Sequence, residues 1–246
     1  NTAISNIARF AGPALGGWLL AKYGADYALY LVGAALLVGA GLMWFVKVEN
    51  PVSNEKKKSL IADFKSGISY IYGTPELRWL ALMALSIMAA GMSMPLGPRW
   101  ARDVIGTEAD GYAVILVGAG VGGFIGAVAL MLAPQIKQLA RLLVFVVIVW
   151  SLSMIGFSFT TSLIPAAIFF GIQGGSVAWW ANTIRTMFQL AAREDMRGRV
   201  MSLFGLISQA IALGWMLGGA MSELIGPQLT FIVSAVLVLT LYIIAY

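Results

Sequence analysis

Stretches of about 20 residues that are almost wholly apolar recur eight times along the chain, at roughly 2–21, 27–46, 79–97, 111–133, 141–159, 163–184, 199–222 and 228–246. Charged residues gather between them. At a rise of about 1.5 Å per residue, such a run crosses the ~30 Å hydrocarbon core of a bilayer. Lipid cannot pair backbone N–H and C=O groups, so each run is predicted to be a helix that satisfies its own backbone. The expected fold class is an all-α integral membrane protein with eight transmembrane helices.

One connection departs from the pattern. The segment 47–78 opens with Pro51, Ser53 and Asn54 and then runs Lys56-Lys57-Lys58. Leu60, Ile61, Phe64, Ile68 and Ile71 follow at helical spacing, and Gly73-Thr74-Pro75 closes the segment. The spacing predicts an amphipathic helix on the inner membrane face, with lysines near anionic headgroups; an ordinary solvated linker is the other reading. No connection is long enough for a soluble domain.

Charge then sets orientation. Lys47, Lys56, Lys57, Lys58, Lys65, Arg78, Lys137, Arg141, Arg185, Arg193, Arg197 and Arg199 fall on one side, against Lys22, Arg99 and Arg102 on the other. The positive-inside rule places the first group, and both chain ends, in the cytoplasm. Only 11% of residues are charged and 60% are hydrophobic, whereas soluble domains carry about 25% charged residues. The chain has no cysteine and no histidine, which removes thiolate sites and the commonest general base and metal ligand. No Gly-x-x-x-x-Gly-Lys loop is present, so no ATP hydrolysis by the chain itself is expected. Neither a metal, a cofactor nor a nucleic-acid partner is expected. A membrane-embedded enzyme would need convergent acids or histidines within the spans, and a receptor or scaffold would be expected to carry sizeable extramembrane domains. Every carboxylate lies in a connection or at a span end.

A glycine pattern occurs twice. Gly12-Pro13-Ala14-Leu15-Gly16-Gly17, with Gly24 beyond it, matches Gly214-Trp215-Met216-Leu217-Gly218-Gly219, with Gly226 beyond it, at a constant offset from 12 to 214. The copies lie in the first and seventh spans. An offset of six spans fits a parallel repeat of six-helix units, an architecture of secondary transporters. On that reading four helices precede Asn1. Residues 1–46 are the last two helices of a first bundle, 47–78 the linker, and 79–246 a second six-helix bundle.

These residues carry a family resemblance. Gly12-Pro13-x-x-Gly16-Gly17 resembles the antiporter motif in the fifth helix of drug exporters of the major facilitator superfamily. The segment Gln189–Val200, with Arg193-Glu194-Asp195-Met196-Arg197-Gly198-Arg199, is similar to the stretch before the eleventh helix in the transmembrane secretion effector branch, which includes enterobactin exporters and macrolide efflux proteins. Arg102–Gly106 and the glycine-rich 117–127 helix resemble that branch too. The resemblance implies helices five to twelve of a twelve-helix transporter, exporting small amphipathic molecules from the bacterial inner membrane by alternating access and proton antiport, as a monomer among membrane lipids. A dedicated siderophore exporter, and outside transport a membrane receptor or scaffold, stand as the alternatives.

Several residues are candidates for mechanism. Gly12, Pro13, Gly16, Gly17, Gly214, Gly218 and Gly219 offer a helix face on which a neighbour packs or slides, and Gly118, Gly122 and Gly126 repeat the four-residue spacing. Arg9 lies within the first span, where it either faces a wet cavity or snorkels to headgroups. Gln173 and Ser176, with Trp180 and Thr183, and Ser202 and Gln209, with Gly205, form polar stripes that suit a cavity or interhelical hydrogen bonds. Met88 and Met92, with Met94, suit a greasy, adaptable wall. Trp44, Trp79, Trp100, Trp179 and Trp180 fall near span ends and read as interface anchors. Arg197 and Arg199, close to Glu194 and Asp195, form a candidate cytoplasmic gate of ion pairs. Replacing Gly16 with Leu is expected to abolish efflux while leaving membrane insertion intact; normal drug resistance in that variant removes the role assigned to the motif.

Overall fold

The computed structural model describes residues 25–45, 60–107, 109–133 and 138–245. The first glycine copy, Arg9 and the lysine run 56–58 lie outside the described residues. Every regular element among the described residues is helical. Helix α1 (Ala25–Trp44) is exposed wherever its side chains are described. Helix α2 (Leu60–Gly73) is the amphipathic segment of the 47–78 connection.

Helix α3 (Pro75–Gly91) starts at once after it. Thr74 is extended and Pro75 occupies the first turn, where a missing N–H costs nothing. The chain then tightens. A 3₁₀ turn (Met94–Leu96), the short α4 (Gly97–Trp100) and a π turn (Ala101–Ile105) carry the same span to Gly106. Pro95 has no N–H for the carbonyl four residues back, and the neighbouring carbonyls find hydroxyls instead. Ser93 donates to Ala90 O (2.8 Å) and Ser234 donates to Ala89 O (2.7 Å). Gly106, at φ 74°, closes the span in the left-handed region that glycine adopts without a Cβ penalty. The span therefore covers Pro75–Ile105 rather than 79–97. Trp100, read above as an interface anchor, is only 3% exposed. The dip in hydropathy at Gly97-Pro98-Arg99 is a short helix inside the span and not its end.

Three further spans follow: α5 (Ala109–Leu132), α6 (Leu139–Phe157) and α7 (Leu163–Ala191). The last runs well past 184. Asn182 and Thr186 hydrogen-bond to carbonyls one turn back, Ala178 O and Asn182 O, so these polar residues continue the helix instead of ending it. Helix α8 (Arg197–Ser208) passes into α9 (Ile211–Ala245) through i→i+3 hydrogen bonds at Gln209 and Ala210. Within α9 the chain reverses at Gly226 (φ 82°, ψ 160°) and Pro227. The loop glycine of the second repeat copy is thus the turn between two spans.

Helices pack here without the hydrophobic effect to drive them together, so close backbone contact matters. The α5–α7 pair meets along Gly118, Gly122 and Gly126. A Cβ on Gly118 would overlap the Ala167 carbonyl, one on Gly122 the Gly171 carbonyl, and one on Gly126 would lie 2.7 Å from Gly175 Cα. The first arm of α9 meets α3 in the same way. Cβ atoms on Gly214 and Gly218 would overlap the carbonyls of Met88 and Met92. Gly219, grouped above with these two, has nothing within 4 Å of its Cβ position among the described residues. It lies one residue, or about 100°, off their face. Between the seams, the rings of Trp100, Phe157 and Phe231 pack edge-to-face or tilted, with centroids 5.1 to 6.0 Å apart.

Gly122→Ala is expected to destabilise the bundle by about 1–3 kcal/mol through overpacking. Gly219→Ala is expected to be neutral or to stabilise by up to about 1 kcal/mol from helix propensity. Thermal unfolding of the purified protein in detergent distinguishes them, and equal effects would sink the assignment of the seam.

Candidate functional site: bundle interior and basic end

The bundle interior holds polar side chains that the helices must satisfy themselves. Tyr242, on the second arm of α9, is buried. Its hydroxyl accepts the indole N–H of Trp180 at 2.6 Å and also bonds Ser86 on α3. Ser153 donates to Phe169 O (2.7 Å), tying α6 to α7. Trp179 donates to Gly126 O (2.7 Å), tying α7 to α5. Both tryptophans of this pair are therefore helix ties rather than interface anchors, whereas Trp44 and Trp79 are exposed. Such interhelical bonds are each worth about 0.6–2 kcal/mol. Among the described residues, three buried polar atoms lack a protein partner: Trp100 Nε1, Ser151 Oγ and Gln173 Nε2.

The candidate cavity residues separate into two groups. Gln173, Ser176, Thr183 and Met92 are buried, and the Ser176 hydroxyl is taken up by Ile172 O of its own helix. Met88 is half-buried and Met94 is exposed. Ser202, Gly205 and Gln209 are exposed along α8 and the turn after it, and Gly205 has no close neighbour among the described residues. Among the described residues the α8 stripe is exposed, while the α7 stripe is packed inside.

A feature not anticipated from sequence is an apolar groove of about 790 Å³ running between α5 and α6 over α7. Val121, Ile125, Phe145, Val149, Ile168 and Ile172 rise around glycines 118, 122, 171 and 175. Its polar side chains, Ser176 and Trp179, already donate within the protein, so it presents hydrocarbon. Its signal in the sequence is the pairing of four-spaced glycines on two helices with large residues beside them.

At the basic end the ion pairs differ from those expected. Arg199 pairs with Asp63 of α2, Nη2 to Oδ1 at 2.9 Å, both about one-third exposed. Asp195 pairs with Arg193 at 2.9 Å, and Arg197 donates to Gln189 O, near the end of α7, at 3.2 Å. The Arg193 guanidinium, chiefly through its hydrogen bond, holds the Asp195 carboxyl below its ordinary range, and Arg199 adds to the field. Tyr70 of α2 accepts the Arg193 backbone N–H (3.2 Å), and its ring lies 5.7 Å from that guanidinium. Glu194 is exposed. The expected Glu194/Asp195 to Arg197/Arg199 gate is replaced by a clamp between α2 and the start of α8. At the opposite end Arg99 donates to Ser222 Oγ (2.9 Å) and pairs with Asp103 (3.3 Å), joining α4 to α9.

Long apolar helices joined through glycine seams define a polytopic membrane protein. The sequence profile of the Major Facilitator Superfamily matches residues 1–212, and the chain belongs to that superfamily. It is 23% identical over 251 positions to the multidrug efflux pump Tap of Mycolicibacterium fortuitum, covering 99% of this chain and 60% of that protein. It is 22% identical over 240 positions to the Tap pumps of Mycobacterium bovis and Mycobacterium tuberculosis, covering 95% of this chain and 57% of theirs. The chain thus spans about 60% of the length of the curated relatives it matches. The family and these relatives are those of membrane transporters.

The Asp63–Arg199 pair predicts a double-mutant outcome. Asp63→Asn and Arg199→Gln are each expected to cost no more than about 1 kcal/mol, as for other partly exposed pairs. The double variant should lose no more than the larger single loss. Strictly additive losses in thermal unfolding would show that the pair is not formed in the membrane protein.

Proposed function

We propose that the chain is part of an exporter of small amphipathic molecules in a bacterial inner membrane, working by alternating access with proton antiport. The observation that carries this reading is the alignment of nearly the whole chain with multidrug efflux pumps. The described structure supports it through surfaces that are greasy and only sparsely polar. Ser202 and Gln209 of the α8 stripe are exposed, as are Leu206 and Trp215, and Met94 is exposed on the span that packs against α9. Apolar, adaptable walls suit ligands of variable shape. In this proposal Gln209 and Ser202 touch substrate, with Met88 and Arg9 as further contacts. Gly12, Pro13, Gly16 and Gly17 form the counterpart of the Gly214–Gly218 seam in the other half of a twelve-helix fold. In this reading the basic end faces the cytoplasm, in keeping with the excess of lysine and arginine there.

Two assays test the proposal. Expression in a bacterium stripped of its own drug pumps should raise the inhibitory concentration of cationic amphipathic drugs severalfold, and Gln209→Leu should alter the drug profile without loss of protein. In inverted vesicles, adding a transported drug should release protons from an established gradient. Resistance with no drug-induced proton movement rules out antiport but leaves export standing. No change in resistance or accumulation for any amphipathic compound defeats the exporter reading.

A further inference from the structure

Helix α2 has two working faces. Asp63, Gly67 and Tyr70 point at the basic end of the bundle. Asp63 holds Arg199, Gly67 admits Leu203 so closely that a Cβ would lie 2.8 Å from its Cδ1, and Tyr70 holds Arg193. On another face Phe64, Ile68 and Tyr72 repeat every four residues and are 48%, 46% and 73% exposed. A helix that had only to bridge two bundles through water would gain nothing from such a stripe.

The stripe does not end with α2. The Arg78 guanidinium lies 6.0 Å from the Tyr72 ring and 5.7 Å from the ring of Trp79. Trp79 is half-exposed on α3, the opening helix of a membrane span. The Arg78 guanidinium therefore joins the exposed stripe of α2 to Trp79 at the start of that span. Exposed Lys65 and Arg78 border it, and Lys56, Lys57 and Lys58 precede the helix in sequence. An apolar stripe edged with cations and joined to a span matches one occupant, a leaflet containing anionic phospholipid.

We infer that α2 is a lipid-docked strut: its Phe64–Ile68–Tyr72 stripe sits in an anionic leaflet while Asp63 and Tyr70, on the opposite side, hold the start of α8 and the segment before it. The leaflet thereby steadies the mouth of the bundle. Losing headgroup charge, or the stripe, frees α2 and with it Arg199. The inference requires membrane insertion only and is independent of what the protein carries.

The absence of cysteine in the chain allows clean site labelling. The intact protein carrying a spin label at Ile68→Cys or Ser69→Cys is reconstituted into phosphatidylcholine vesicles with or without phosphatidylglycerol. In anionic vesicles the label at 68 is expected to collide with oxygen and be shielded from a water-soluble nickel chelate, whereas the label at 69 remains open to nickel. Amide hydrogen exchange over 197–204 should then rise severalfold on removing phosphatidylglycerol, and equally in Phe64→Ser/Ile68→Ser and in Asp63→Asn. A label at 68 as open to nickel as that at 69, which includes the case of a protein segment or soluble partner covering a water-facing stripe, overturns the docking. Exchange over 197–204 that ignores lipid charge overturns the strut.

Discussion

Backbone contact between helices is the constraint on which this structure depends. In lipid, separated helices are as well solvated by acyl chains as packed ones are by each other, so association must come from contact quality and from polar ties. Glycines 118, 122 and 126 let α5 lie on the α7 backbone, and Gly214 and Gly218 let α9 lie on the α3 backbone. Those two contacts place α7 between α5 and α6 and bring the second arm of α9 against α3. The ties from Trp179, Trp180 and Ser153 then have partners within reach. Trp179 reaches Gly126 O only because nothing larger than hydrogen stands between α5 and α7.

The α3–α9 seam lies where α3 is weakest. Pro95 and the tightened turn after Gly91 interrupt the regular helical pairing, and the seam sets Gly214 and Gly218 against Met88 and Met92 at that place. Ser234 supplies a hydroxyl to Ala89 O from the other arm of α9. A break in a membrane helix is tolerated when neighbouring helices re-pair the freed groups. Both arms of α9 contribute to that task, which ties the geometry of the break to the reversal at Gly226.

Much of this was legible in the sequence, because hydropathy measures the property that the bilayer selects. The apolar spans among the described residues, the helix 60–73 and the family all followed from runs, spacing and a few motifs. What escaped had physical causes. Gly219 shares the motif of Gly218 but not its helical phase. Trp100 sits beyond a hydropathy dip that turned out to be a π turn and a short helix within one span. The far end of α7 is rich in Asn182, Thr183, Arg185 and Thr186, which look like a connection but are helical. The Asp63–Arg199 pair joins residues far apart in sequence, and no local pattern reports it. For the site, residue type marked polar positions correctly but could not separate those packed inside, such as Gln173, from those left open, such as Gln209.

Helix α7 has 29 residues and is therefore ~44 Å long, about half as long again as the ~30 Å of hydrocarbon it crosses. It behaves as a lever. A tilt of roughly 5° about its far end sweeps the near end by about 4 Å at that length. Arg193, two residues beyond the helix, touches Tyr70 at hydrogen-bond distance, and a sweep of that size is more than such a contact survives. Modest reorientation deep in the bundle is geometrically multiplied into complete separation at the surface.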